Sequence, residues 1–175
     1  AAEKIYKPLS KCRSKTFITN KYGIEEDFIL YVGGFSPRKN ILGLIEAYSR
    51  LPSKLTDNFK LVITGRKGPA YEMYKSRTEE LKIADKVIFT DFIPLQDMPL
   101  FYNAAEVLVY PSFYEGFGLP PIEAMACGTP VIASNVTSLP EVCYESALLI
   151  DPNDIDLLSY DIERVLSNSL LKLTM

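Results

Sequence analysis

An α/β fold built on an open parallel sheet is predicted by three features of the sequence. Short apolar runs recur along the chain, each long enough for one strand buried on both faces. Segments with apolar residues at helical spacing alternate with these runs. The first run, Phe28–Val32, is followed at once by Gly33 and Gly34, which favour a tight turn. Strands that alternate with helices form right-handed crossovers, and these place parallel strands in one sheet.

The predicted elements follow from these patterns in order along the chain. The strands are Phe28–Val32, Lys60–Thr64, Lys86–Thr90, Val107–Tyr110, Pro130–Ser134 and Ala147–Ile150. The helices are Ile41–Leu51, Tyr71–Ile83, Met98–Ala104, Pro120–Gly128 and about Asn153–Leu171. Asn40 can cap the first helix and Pro52 ends it. The prediction is therefore a Rossmann-like, doubly wound parallel sheet of about six strands with helices on both faces.

Residues 28–175 are predicted to form the folded domain, and residues 1–27 a lead-in segment. The lead-in is polar and basic, and it contains a short helix-compatible stretch that ends near Tyr22. The chain has 175 residues, 47% of them apolar, which suits one domain with a substantial core.

The composition excludes several classes of function. The sequence contains no histidine, which rules out Ser-His-Asp and Cys-His catalysis and imidazole metal sites. A net charge of -3 does not favour nucleic acid as a partner. The three cysteines lack CxxC spacing, which disfavours disulfide and zinc sites and favours a cytoplasmic location. No apolar stretch approaches the roughly 20 residues of a spanning helix, so peripheral association with the inner membrane face is expected only through a larger parent protein.

Polar or glycine-rich loops follow four of the predicted strands, at residues 33–40, 65–68, 91–93 and 111–120. Ligands of open parallel sheets bind beyond the carboxyl ends of the strands, so these loops should open on one edge. Arg38 and Lys39 precede a helix start, where free N–H groups favour an anion, and a diphosphate is the expected ligand. The alternative is that Gly33 and Gly34 only make the turn and that the cations are solvated. For Arg66 and Lys67 the solvated interpretation is the favoured one.

The most specific segment is GFGLPP, which directly follows Glu115. Gly116 and Gly118 leave the backbone open before a helix that proline can start, so the N–H groups of Gly118 and Leu119 can face a phosphate. Seven residues separate Glu115 from Glu123, and such carboxylates are better used as acceptors for hydroxyls on either side of a diphosphate. A nucleotide sugar has this layout. Taken alone, Glu115 could be a surface acid and Glu123 a helix-dipole partner.

Two common phosphate-binding motifs fit poorly. In GFGLPP, Pro121 occupies the third glycine position of G-x-G-x-x-G, and the segment follows the fourth strand instead of the first, which disfavours a nicotinamide dehydrogenase. No glycine is followed by lysine, so a Walker A motif is absent. Most aromatic residues near the strand ends are expected in the core, with Phe92 and Phe117 as the best exceptions for stacking a base. The six are Tyr31, Phe35, Phe92, Phe113, Tyr114 and Phe117.

The segment YEGFGLPPIEAMACGTPVIAS, residues 114–134, strongly resembles the E-x7-E region of retaining glycosyltransferases of family 4, which have the GT-B fold. The resemblance extends through residues 29–48, 61–65, 87–112 and 138–152, nearly the whole chain. In that family this part is the C-terminal, donor-binding half, and an acceptor-binding N-terminal half should precede it. The resemblance implies transfer of a sugar from a nucleotide diphosphate sugar, with retention of configuration, no metal and no cofactor.

By position, the resemblance also implies roles for the catalytic residues. Lys39 would hold the diphosphate, and with Arg38 and helix N–H groups it would stabilise that leaving group as negative charge develops. Glu115 would contact the donor sugar, together with backbone groups of residues 116–118. Glu123 would bind the ribose hydroxyls.

Two further positions bear on donor recognition. Phe92 and Ile93 align with the family's base-binding turn. Many members have an arginine where this chain has Gly34, so Arg38 would supply the second cation. The motif PRKN at residues 37–40 is typical of a subgroup, often mannosyltransferases, and it favours GDP-mannose over a UDP-linked donor.

Three other interpretations stay open. A GT-B sugar-nucleotide epimerase shares the nucleotide chemistry, although the E-x7-E motif speaks against it. A nucleotide-binding module without activity would result where the other half of the cleft is missing. An interaction domain on an ordinary doubly wound scaffold would leave the four loops unexplained.

Overall fold

The computed structural model describes residues 3–175 and contains one sheet of six parallel strands. The strands are β1 Asp27–Val32, β2 Phe59–Thr64, β3 Val87–Phe89, β4 Val107–Tyr110, β5 Val131–Ser134 and β6 Leu148–Ile150. Their order across the sheet is β3-β2-β1-β4-β5-β6. The predicted doubly wound parallel sheet is therefore confirmed, including all six predicted strands.

Nine α-helices cover the two faces of this sheet in residues 3–175. They are α1 Lys11–Tyr22, α2 Ile41–Ser49, α3 Ser53–Asn58, α4 Tyr71–Glu80, α5 Met98–Ala104, α6 Leu119–Ala126, α7 Leu139–Cys143, α8 Ile155–Ser167 and α9 Ser169–Thr174. Helices α2, α4 and α8 pack together on one face, and α1, α5 and α6 on the other. Strands β4 and β5 between these layers are buried along their whole length, and β1 is buried at all but its two end residues, which explains their continuous apolar runs.

The structure corrects the predicted helices at four places. The predicted helix at about 153–171 is two helices, because Asn168 adopts extended angles and its side chain caps α9 by accepting the Leu171 N–H at 3.0 Å. Helix α4 ends at Glu80 because Lys82 adopts a left-handed conformation with φ 57°. The short helices α3 and α7 were not predicted, since about one turn carries too little periodicity to be recognised.

The predicted lead-in packs on the rest of the domain. Helix α1 lies against α5, and Tyr6, Ile18 and Ile24 are buried in the same core as the sheet. Lys21 Nζ and Tyr22 Oη each donate a hydrogen bond of 2.6 Å to Asp97 Oδ2, immediately before α5. The described part of residues 1–27 is thus integral to the core, and its few, widely spaced apolar anchors explain why the sequence pattern did not indicate this.

Glu106 joins the first and last helices at the amino edge of β4. Its side chain is 9% exposed, and its oxygens lie 2.6 Å from Lys11 Nζ and 2.7 Å from Lys172 Nζ. Burial by itself would raise the pKa of Glu106, but the hydrogen bonds from the two lysines outweigh burial and lower this pKa to about 2. The ionised carboxylate therefore contributes to holding α1 and α9 on the domain.

Replacing Glu106 by glutamine is expected to lower the free energy of unfolding at pH 7 by up to about 3 kcal/mol. The folded-state pKa of about 2 lies below the ordinary value of 4.5, so this stability is complete above pH 4.5 and is lost as pH falls towards 2. Urea unfolding at several pH values should show a shallower loss for Glu106→Gln than for the wild type. Glu79→Gln is the matched control, because Glu79 forms only an exposed pair with Lys75. Equal pH profiles for Glu106→Gln and wild type would contradict this role.

Candidate functional site

The predicted ligand-side loops lie together at the carboxyl edge of the sheet. Strands β1 and β4 are neighbours, with Ile29 paired to Val107, and their chains continue towards opposite flanks of the sheet. The crevice between them is the topological switch point, where open α/β sheets bind ligands. The Phe113 N–H donates to the Arg38 carbonyl at 2.8 Å and joins the two loops directly.

The loops after β1 and β2 touch backbone to backbone. The Gly33 N–H donates to the Thr64 carbonyl at 3.0 Å, and a Cβ added at Gly65 would lie 2.0 Å from the Gly33 oxygen. Gly65 also has φ 152°, a conformation that L side chains rarely adopt. Glycine at position 65 therefore allows the backbones of the loops after β1 and β2 to pack directly against each other.

A buried ion pair lies at the switch point between Lys39 and Glu115, each 7% exposed. Lys39 Nζ donates to Glu115 Oε1 at 2.5 Å and to Tyr110 Oη at 2.8 Å. Arg38 is half-exposed, and its Nη1 donates to the Tyr114 carbonyl at 3.0 Å and to Glu115 Oε2 at 3.4 Å. Burial acts to raise the pKa of Glu115, but the hydrogen bond from Lys39, the interaction with Ser112 and the charge of Lys39 together more than offset it, so the pKa is lowered. Glu115 is ionised at neutral pH.

The backbone of Glu115 is held by the loop after β5. The Glu115 N–H donates to Thr137 Oγ1 at 3.1 Å, and Ser138 Oγ donates to the Glu115 carbonyl at 3.1 Å. Thr137 has φ 55°, a left-handed conformation that is costly for a β-branched residue. Both the side chain and the main chain of Glu115 are therefore fixed.

Helix α6 starts at this edge without a side-chain cap. Gly118 adopts φ 89° at the N-cap, and Pro120 and Pro121 follow in the first turn. Because proline has no N–H, only Leu119 among the first three helical residues presents one. The helix start at Gly118 and Leu119 therefore lies where the sequence predicts it, and the role of their N–H groups towards an anion stays a prediction.

A cavity of about 380 Å³ lies beside the ion pair, over the ends of the first three strands. Five predicted site residues line it: Gly33, Gly34, Phe92, Ile93 and Glu123. Phe92 is 67% exposed, as expected of a ring free to stack on a ligand, whereas Ile93 is buried in the wall. Arg66, for which the sequence favoured a solvated position, also lines it, as do Tyr6, Leu95 and Met98, which the sequence did not indicate. The cavity is mostly apolar, with one carboxylate in its wall.

Glu123 is anchored from outside the cavity. Tyr102 Oη, on α5, donates a hydrogen bond of 2.7 Å to Glu123 Oε2. Tyr102 is completely buried, and its ring contacts Tyr6 edge-on with 5.8 Å between centroids. The helix-dipole interpretation of Glu123 does not describe these contacts.

The structure thus divides the predicted residues into two adjacent groups. Arg38, Lys39 and Glu115 form the ion-pair network, whereas Glu123 lies in the wall of the cavity. A stacked pair of rings, Tyr31 and Tyr110, connects the groups, with Tyr31 Oη 3.5 Å from the Gly34 carbonyl oxygen and Tyr110 bound to Lys39.

The expectation that most of the six aromatics belong to the core is wrong for two of them. Tyr31 and Phe35 are buried, whereas Phe113 and Tyr114 are exposed together with Phe92 and Phe117. Phe113 and Tyr114 lie on the 111–118 loop, which crosses the open edge instead of returning to the core.

Sequence reasoning also missed contacts that complete the site. Tyr110 is the last residue of β4, and Thr137 and Ser138 come just after β5. Inspection of the loop after the fifth strand, by the rule used for the other four, would have found Thr137 and Ser138. Tyr6 has no sequence pattern that connects it to Glu123.

Residues 3–175 contain no group of three or more acidic or cysteine side chains placed to hold a metal ion. None of the helices in the described range combines the length and the apolar character needed to cross a bilayer.

Fold and loops together define an α/β domain with a candidate ligand site at the topological switch point. The family model described as "Glycosyl transferases group 1" matches residues 14–175, and the chain belongs to this family. Its relatives include O-antigen chain mannosyltransferase B of Escherichia coli, which is 43% identical over 143 residues. That match covers 81% of this chain but only 38% of the relative.

Solved structures agree with this assignment. A sucrose-phosphate synthase from Thermosynechococcus elongatus has a TM-score of 0.84 and 33% identity, over 99% of this chain and 43% of that chain. The C-terminal domain of a glycosyl transferase group 1 family protein from Francisella tularensis has a TM-score of 0.87 and 23% identity, over 99% of this chain and 91% of that domain. The chain therefore has the fold of one half of a GT-B glycosyltransferase and spans less than half the length of the whole proteins it matches.

Proposed function

We propose that this chain is the donor-binding half of a retaining hexosyltransferase that uses a nucleotide diphosphate sugar. The observation that carries the proposal is the position of the Lys39–Glu115 pair, next to the cavity that contains Glu123. One group offers cations and a fixed carboxylate, and the other offers apolar walls with a second carboxylate. A nucleotide diphosphate sugar matches this arrangement, because its sugar and diphosphate suit the charged network and its nucleoside suits the apolar cavity.

The nucleoside part of the donor is assigned to the cavity. Phe92 and Ile93 provide apolar surface for the base, and Glu123 accepts hydrogen bonds from ribose hydroxyls. Gly33 and Gly34 have no side chains, which lets the diphosphate approach the backbone. The start of α6 at Leu119 offers the diphosphate an N–H group.

The chemical step is assigned to the ion-pair network. As the bond between the sugar and the diphosphate breaks, negative charge develops on the leaving oxygen, and Lys39 and Arg38 stabilise that charge. Ionised Glu115 accepts hydrogen bonds from the donor sugar, together with backbone groups of residues 116–118. Because cations and N–H groups suffice to stabilise the diphosphate, the reaction is proposed to need no metal.

The donor sugar is proposed to be mannose, carried by GDP. The PRKN motif supports this choice, and so does the Escherichia coli relative, which is named a mannosyltransferase of the O-antigen chain. The acceptor is assigned to a preceding N-terminal domain, and polysaccharide biosynthesis is the proposed setting.

Calorimetric titration of GDP, UDP and ADP tests this proposal. GDP is expected to bind with the same affinity in the presence of Mg²⁺ and of a chelator. Glu123→Ala should weaken binding about tenfold, since hydrogen bonds to a charged group contribute about 1.5–3 kcal/mol. Glu72→Ala, on an exposed turn of α4, is the control and should bind like the wild type. Absence of binding by all three nucleotides would favour an interaction domain on a doubly wound scaffold and would overturn the proposal.

A further inference from the structure

The side chain of Glu123 is positioned by a residue that does not line the cavity. Tyr102 lies on the neighbouring helix α5, is completely buried, and donates its hydroxyl hydrogen to Glu123 Oε2 at 2.7 Å. No ion pair reaches Glu123 from any residue in the described part of the chain. Tyr102 therefore gives Glu123 a short hydrogen bond from the α5 side, while the Tyr6 hydroxyl interacts with the same carboxylate from the cavity.

Tyr102 itself has little freedom to move. Its carbonyl oxygen accepts a hydrogen bond of 2.7 Å from Thr129 Oγ1, which ties this turn of α5 to the segment before β5. The ring is packed edge-on against Tyr6, and Tyr6 in turn lines the cavity. Burial, followed by the charge of Glu123, raises the pKa of Tyr102 well above its ordinary range, so the hydroxyl keeps its proton and remains a donor.

This arrangement has a specific consequence for the carboxylate. Glutamate has three side-chain torsions, and fixing such a chain on binding has an entropic cost. The bond to Tyr102 fixes the carboxylate before a ligand arrives and engages Oε2 from the α5 side. The Tyr6 hydroxyl, which lines the cavity, also interacts with this carboxylate, and Oε1 is the oxygen that is not bonded to Tyr102 and can accept ribose hydroxyls.

We propose that Tyr102 is a positioning residue that orients Glu123 towards the two ribose hydroxyls and thereby sets the preference for ribonucleotides. The inference rests on the proposed function, in which Glu123 binds the ribose. Tyr102 contributes nothing to binding of the base or the diphosphate, so its effect is confined to ligands that carry both hydroxyls.

The test compares the affinities of GDP and 2′,3′-dideoxy-GDP for the 175-residue chain. The ratio of the two dissociation constants measures the contribution of the ribose hydroxyls. Tyr102→Phe keeps the buried ring and removes only the donor. It is expected to reduce this ratio about three- to tenfold, from the loss of one fixed rotamer and one charge-assisted hydrogen bond. The affinity for the dideoxy analogue should not change.

The matched control is Tyr48→Phe. Tyr48 is also completely buried and donates its hydroxyl to the Phe59 carbonyl at 2.8 Å, on the α2 side of the sheet. This variant should leave the ratio at the wild-type value. A Tyr102→Phe variant with the wild-type ratio, or one that weakens both ligands equally, would overturn the inference.

A second comparison separates this inference from the proposed function. In the Glu123→Ala background the ratio should already be low, and adding Tyr102→Phe should change it no further, because Tyr102 acts only through Glu123. If Glu123→Ala retains the wild-type ratio, the assignment of the ribose to Glu123 fails. If Glu123→Ala lowers the ratio and Tyr102→Phe does not, only the positioning role fails.

Discussion

Replacing Lys39 by methionine is expected to abolish GDP binding and to lower the free energy of unfolding by about 3 kcal/mol. The loss of stability comes from the carboxylate left behind. Glu115 is 7% exposed, and without Lys39 its remaining cationic partner is Arg38, at 3.4 Å. Loss of binding follows because the same ammonium group is the buried cation assigned to the diphosphate.

The two effects of this substitution can be separated by removing both charges. In the double variant Lys39→Met with Glu115→Gln, no buried charge is left unpaired, so most of the stability should return while binding remains absent. Lys54→Met, at an exposed position on α3, is the control for loss of one positive charge. Urea unfolding and calorimetry provide the two measurements. Normal GDP affinity in Lys39→Met would refute the assignment of the diphosphate.

Gly65→Ala is expected to be the most destabilising small substitution at the site, by about 3 kcal/mol or more. The added Cβ would lie 2.0 Å from the Gly33 carbonyl oxygen, and this oxygen is part of the backbone next to β1. Relief would require separation of β1 from β2 at their carboxyl ends, since the Gly33 N–H is bonded to Thr64. Alanine at φ 152° adds backbone strain.

Two nearby glycines serve as controls for Gly65→Ala. A Cβ at Gly34 meets nothing within 4 Å, and a Cβ at Gly68 only reaches van der Waals distance of the Phe35 carbonyl, at 4.0 Å. Gly34→Ala and Gly68→Ala should therefore change the unfolding free energy by less than about 1 kcal/mol. Thermal unfolding of the three variants gives the comparison, and equal stability of all three would disprove the close approach of the loops.

The sheet was predictable because its strands are buried on both faces. Such strands appear in sequence as uninterrupted apolar runs, and β1 and β4 are clear examples. The rule for parallel sheets then predicts that their loops lie on one edge, and this places Lys39 and Glu115 at the same edge from the sequence alone. Helix limits were less predictable, because the end of α4 and the break at Asn168 depend on single backbone conformations.

The contacts within the site were largely unpredictable from sequence. Lys39 and Glu115 are 76 residues apart, and each was assigned separately to a part of the donor, so their mutual bond was not expected. Tyr102 has the pattern of an ordinary core residue on a short helix, and only packing of α5 against α6 brings its hydroxyl to Glu123. These contacts depend on tertiary packing, which neither periodicity nor local spacing specifies.

The pairing of Lys39 with Glu115 affects how the site would respond to the many small anions in a cell. The buried ammonium group is already neutralised, so an isolated phosphate ion would have to displace a carboxylate to reach it. In the proposed function, a nucleoside diphosphate offsets that cost with the surface that its base and ribose bury in the neighbouring cavity, which inorganic phosphate cannot do. The Lys39–Glu115 ion pair would therefore select against isolated phosphate ions and favour phosphate groups that carry a nucleoside.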